Sequence, residues 1–166
     1  KTGEEGSIAA HQNNYAVYND AVAIETPVKW QDLPAPIKPR YLFGSNEQYP
    51  VDIVKWEADG SLRAFKGTGW DKDFEERDSY EENLKVLKSE WKNGHWYVMI
   101  QRPVGNKKDQ DYDEDTLFEM GKYIPTVFFA WDGHNGDAGR KMAVSAFYYT
   151  FMQPPTPREV YIYPFV

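Results

Sequence analysis

The 166-residue chain has no cysteine. It can form no disulfide, present no thiolate to a metal, and attach no haem covalently through a C-x-x-C-H motif. That absence leaves the compartment open. Positive charge is also short: 19 Lys and Arg stand against 26 Asp and Glu, a net charge of −7. Phosphate backbones are gripped by a basic face, so nucleic acid is not an expected partner. No apolar run is long enough for a membrane-spanning helix, and no signal peptide is visible. G-x-S-x-G, H-E-x-x-H, G-x-G-x-x-G and P-loop patterns are all missing, and no carboxylate pair stands out among the acids. The sequence therefore offers no hydrolytic apparatus. His11, His95 and His134 share no metal-ligand spacing, and without cysteine a zinc site is not expected. Asp109, Asp111, Asp113 and Asp115 suggest a calcium loop at first sight. Counted from Asp109, the loop positions that need Gly and Glu hold Glu114 and Met120, so a solvated acidic loop is the reading.

Aromatic side chains are plentiful, with six Trp, twelve Tyr and nine Phe. Aromatic and β-branched residues favour strands. Eleven Pro and twelve Gly punctuate the chain at the short intervals of an all-β domain. Residues 1–14 read as a flexible lead-in, 15–152 as one β-sandwich domain, and 153–166 as a proline-rich tail. Strands are expected at Ala21–Ile24, Tyr41–Phe43, Val51–Trp56 and Leu62–Phe65. Leu84–Trp91 and His95–Arg102 flank Asn93-Gly94, the strongest hairpin signal in the chain. Asp71–Glu82 reads as loop or short irregular helix, Asp115–Gly121 as one helical turn. Both ends look cut, since Lys1 is no start residue and the chain stops on the apolar Tyr161–Val166.

The organising stretch is Val127–Met152. Two apolar runs, Val127–Trp131 introduced by Pro125, and Met142–Met152, flank a ten-residue gap rich in Gly and Asp. Runs of this kind bounded by turn residues read as buried strands. Arg140-Lys141 sits where the gap re-enters the core. A buried ammonium without a partner is costly. Lys141 therefore points to solvent, or something inside uses its amine.

Four segments in order, Asn19–Pro27, Tyr41–Trp56, Trp91–Val104 and Phe128–Tyr149, resemble the haem-binding domain of ethylbenzene dehydrogenase-type proteins. That family includes the γ subunits of ethylbenzene, dimethylsulfide, selenate and chlorate enzymes of the molybdenum type, related cytochrome domains and nitrite oxidoreductases. Together with the AWDG…GRKMAVS segment the four form a fairly specific set. The resemblance implies an immunoglobulin-like antiparallel β-sandwich with few short helices, holding one b-type haem non-covalently. It implies an electron-transfer subunit rather than a catalytic centre. Partners would be molybdenum and iron–sulfur subunits or a cytochrome, in a periplasmic or other extracytoplasmic setting. The tail 153–166 would lead towards a membrane anchor or neighbouring subunit.

In this family the iron is held by a Lys and a Met. The lysine carries over to Lys141, which would answer the question of its amine: metal ligation favours the neutral form. No Met stands in Tyr41–Gly44, the segment matching the family's methionine. The second ligand is left to Met99 or His11. Met142 ranks lower, because neighbours in a strand point to opposite faces, and Met120 and Met152 read as core filling. Arg140 and Arg102 are expected partners for the propionates. Two alternatives stand beside this reading. One is a structural subunit of the same fold without haem. The other is a carbohydrate-binding module using Trp56, Trp70, Trp96 and Trp131.

Overall fold

Alternation along Val51–Glu57 sets the architecture. Successive strand side chains point to opposite faces. Asp52, Val54 and Trp56 therefore share one face, and Val51, Ile53 and Lys55 share the other. A computed structural model describes residues 17–28, 46–69, 71–77, 84–102 and 120–155. In it this segment is strand β2, and both of its faces are buried. Strand β1 (Ala21–Pro27) pairs along one edge and β3 (Leu62–Gly67) along the other.

The main sheet is antiparallel. Strand β4 (Glu75–Glu76) closes one edge. Across the sheet, β1 pairs with β7 (Tyr123–Trp131), and β7 pairs with both β8 (Ala143–Val144) and β9 (Tyr148–Phe151). The order is β4-β3-β2-β1-β7-β8, with β9 joining at the other end of β7. One face buries Ala23, Val51, Ile53, Val127 and Phe129. The opposite face carries Val22, Ile24, Val54, Trp56, Ala64 and Phe128, by register with their neighbours.

A hairpin covers part of that second face. It joins β5 (Lys85–Lys92) to β6 (His95–Gln101) through Asn93-Gly94. Both turn residues have positive φ, 52° and 77°, as the two-residue turn that matches strand twist requires. Trp96, Val98 and Ile100 alternate inward, and Ile100 packs on Val54, Ala64 and Leu84. Trp96 meets Trp56 edge-on at 5.0 Å between ring centroids. Its indole N–H donates to Asp20 at 2.9 Å. The fold is all-β, antiparallel and sandwich-like.

Most expected strands form, with three corrections in detail. The second apolar run is not one buried strand. Ser145–Phe147 interrupts it, and Tyr148–Phe151 is exposed along its length. Strand β7 starts at Tyr123, so Pro125 lies within it rather than before it. Pro125 sits past Glu25–Val127, where β1–β7 pairing ends, so no ladder bond to β1 is asked of its missing N–H. Of Asp71–Glu82, the described residues up to Arg77 are turn and loop with the short strand β4. Tyr41–Phe43, Phe43-Gly44, His11, Trp70, most of Asp115–Gly121, the acidic loop from Asp109 to Asp115 and the tail from 156 lie outside the described residues.

Candidate functional site

The hairpin does not close over the whole second face of the main sheet. An open cleft of about 750 Å³ lies between them. Its walls are Val22 and Ile24 of β1, Val98 and Ile100 of β6, Phe128 of β7 and Val144 of β8. These residues come from the same alternation that builds the sheet, so the fold itself makes the cleft apolar. The volume lies within the usual range for ligand sites. Met99 also lines it. Its side chain alternates outward with Tyr97 and is 56% exposed, so it stands at the rim.

A smaller hollow of about 280 Å³ shares Ile24, Ile100 and Phe128 with the cleft, and is polar at its other side. There Arg102 stands with Thr26, Thr126 and Thr150. Arg102 donates to Asp52 at 2.8 Å. Asp52 is fully buried and also faces Arg77 at 3.7 Å, whose side chain is itself buried. Asp52 and Arg77 were not among the candidates drawn from sequence. A signal was present: Asp52 alternates onto one face with Val54 and Trp56, where a charge needs partners.

Lys141 lies elsewhere. Asp132 caps the 3-10 turn Gly133–Asn135 by accepting from the Asn135 N–H, and the chain then curls back towards β8. The Lys141 ammonium crosses this loop. It donates to the Asn135 carbonyl at 2.6 Å and to the Asp137 carboxylate at 2.9 Å, and remains 59% exposed. That hydrogen bond, with the positive charge behind it, holds the Asp137 carboxyl below its usual range. The amine at the re-entry point is thus turned to solvent and ion-paired.

The neighbours of Lys141, Arg140 and Met142, line a slot on the first face of the main sheet, together with Gly139, Phe129 and Trp131. Met99 and Arg102 belong to the second face. Arg140 thus lies on the first face and Met99 with Arg102 on the second, while the Lys141 ammonium is held within the loop by Asn135 and Asp137. The structure does not bring Lys141 and Met99 together. His11 lies outside the described residues. His95 bonds locally to the Asn93 carbonyl at 2.9 Å, and His134 is exposed in the 3-10 turn. Among the described residues no group of three or more His, Asp or Glu could hold a metal ion, and no helix is long and apolar enough to cross a membrane.

Among the described tryptophans most are turned inward. Trp56 is buried, and Trp96 and Trp131 are half-buried, leaving Trp91 as the one exposed indole among the described residues. No family model matches this chain, and no curated protein matches it.

Proposed function

We propose that this chain is an electron-transfer domain that binds one b-type haem non-covalently within a larger redox complex. The observation that carries the reading is the apolar cleft between the main sheet and the hairpin. A flat macrocycle with carboxylate substituents needs apolar walls and a cationic end. The cleft supplies Val22, Ile24, Ile100 and Phe128 as walls, and the adjoining hollow supplies Arg102. A guanidinium has five N–H donors in a planar fork, so a role for Arg102 at Asp52 is compatible with a second carboxylate. Met99 at the rim offers a thioether, a soft donor that haem iron accepts.

Bound haem would supply a one-electron carrier. The chain's own part is to exclude water from the ring, set its polarity and orient its carboxylates. Lys141 is the proposed second donor on the strength of the resemblance. For that it must leave Asp137 and lose its proton, since only the neutral amine ligates. Molybdenum and iron–sulfur subunits or a cytochrome, and a periplasmic position near a membrane, belong to the same proposal and rest on the resemblance.

Titration of the purified protein with haemin tests the reading. A Soret band that saturates at one haem per chain, with a b-type pyridine haemochrome, is expected. No spectral gain on haemin addition refutes it. The second reading, a structural subunit of this fold without haem, is favoured by one observation: Lys141 is already engaged with Asp137 and Asn135. The same titration separates the two.

A further inference from the structure

The slot on the first face of the main sheet is distinct from the cleft and lies on the opposite side of the strands. We infer that it is a binding site for a small aromatic carboxylate: one ring in the slot, its carboxylate on Arg140. The slot holds about 190 Å³. An apolar protein cavity of ~150 Å³ takes benzene, so this volume suits one ring with a small substituent, not a tetrapyrrole. Four aromatic side chains line it: Phe65, Phe74, Phe129 and Trp131. Aromatic walls favour a planar guest through offset and edge-on contacts.

Three cations line the same slot, Lys55, Lys72 and Arg140, against one acid, Asp73. Two of the cations are already committed. Lys55 bonds to Glu57 at 2.5 Å and lies 4.9 Å from the centre of the Trp131 ring. Lys72 bonds to Glu47 at 2.5 Å. Arg140 makes no hydrogen bond or ion pair with the described residues, and it is exposed. Its neighbour Lys141 takes the loop's carboxylate, Asp137, which leaves the guanidinium of Arg140 for a guest. A guanidinium matches a carboxylate in a two-point contact. Trp131 is held rigid from behind, its indole N–H donating to the Gly139 carbonyl at 2.9 Å.

That indole N–H is also the reporter. The experiment titrates benzoate, benzyl alcohol and benzylamine into the 15N-labelled protein, followed by NMR and calorimetry. Benzoate is expected to shift the Trp131 indole and Gly139 amide signals while the Trp96 indole, on the other face, stays fixed. The order of affinity is expected to be benzoate, then benzyl alcohol, then benzylamine. Arg140→Gln is expected to weaken benzoate about tenfold, the size of a lost charge-assisted hydrogen bond, and to leave benzyl alcohol unchanged. Lys92→Gln at the hairpin tip is the charge-matched control and should bind as the parent does. The inference is overturned if millimolar benzoate moves neither signal, if benzylamine binds as well as benzoate, or if Arg140→Gln binds benzoate as the parent does. The outcome is independent of haemin binding, which is read separately from the Soret band.

Discussion

Gly133→Ala is the sharpest test of how this domain is joined. A Cβ at Gly133 would lie 1.9 Å from the Tyr18 carbonyl oxygen and 2.5 Å from its carbon. Both are backbone atoms, so no rotamer change relieves the overlap. Real Cβ atoms essentially never come closer than 3.0 Å, so the segment before β1 and the loop after β7 must part by more than an ångström. Gly133 is not among the residues with positive φ, which makes lack of space, not backbone strain, the cause. Two hydrogen bonds cross this joint: Tyr18 N–H to the Gly133 carbonyl at 3.2 Å, and Gly133 N–H to the Asp20 carboxylate at 2.9 Å. Neither survives such a separation. A neutral bond contributes about 1 kcal/mol net and one to a charged group about 2, so the loss is about 3 kcal/mol before any disturbance of Trp96 on Asp20. At ~2–4 °C per kcal/mol for a domain of this size, the melting temperature should fall by roughly 10 °C. Far-UV circular dichroism melts and urea titrations with an unchanged m-value would measure it. A melting temperature within about 2 °C of the parent would refute the reasoning.

Trp96→Phe keeps the ring against Trp56 but removes the donor to Asp20; urea denaturation should show a loss of about 2 kcal/mol, and a double-mutant cycle with Asp20→Asn should be strongly non-additive. Lys141, Lys55 and Lys72 hydrogen-bond Asp137, Glu57 and Glu47 and hold all three carboxyls below the ordinary range. Carboxyls depressed in the folded state stabilise it above the unfolded range and lose that contribution as pH falls through their folded values. Stability should thus be level near neutrality and decline below about pH 4. Asp137→Asn should flatten part of that decline in urea midpoints measured from pH 7 to 3, and an unchanged slope would remove Asp137 from the account. If haemin binds, Met99→Leu should alter the Soret position, and Lys141→Ala should alter it only if the amine leaves Asp137 for the iron. An identical spectrum in either variant strikes that residue from the ligand set.

The strands were legible because their signals are local. Period-two alternation in Val51–Glu57, the Asn93-Gly94 turn and the apolar run at Ala21–Ile24 depend only on neighbours in the chain. The break between β8 and β9 was not legible. The aromatic run Met142–Met152 reads as one strand by composition, but its second half pairs with the start of β7 and its first half with the end. Which half meets which is a matter of register between distant segments.

The site divides the same way. The stretch Val127–Met152 posed a choice at Lys141: solvent, or an interior partner. The sequence alone determined that a cation stood at the end of a Gly- and Asp-rich loop. It could not say what the cation met, because Asp137 and the Asn135 carbonyl reach Lys141 only through the 3-10 turn and its return. Likewise residue type suggests Met99, Arg102 and Arg140 one at a time, and the resemblance suggests Lys141. Only the tertiary structure put Arg140 on one face of the sheet and Met99 with Arg102 on the other. Side-chain chemistry is a property of the residue, but the face it serves is set by strand register, and register is decided by contacts far apart in the chain.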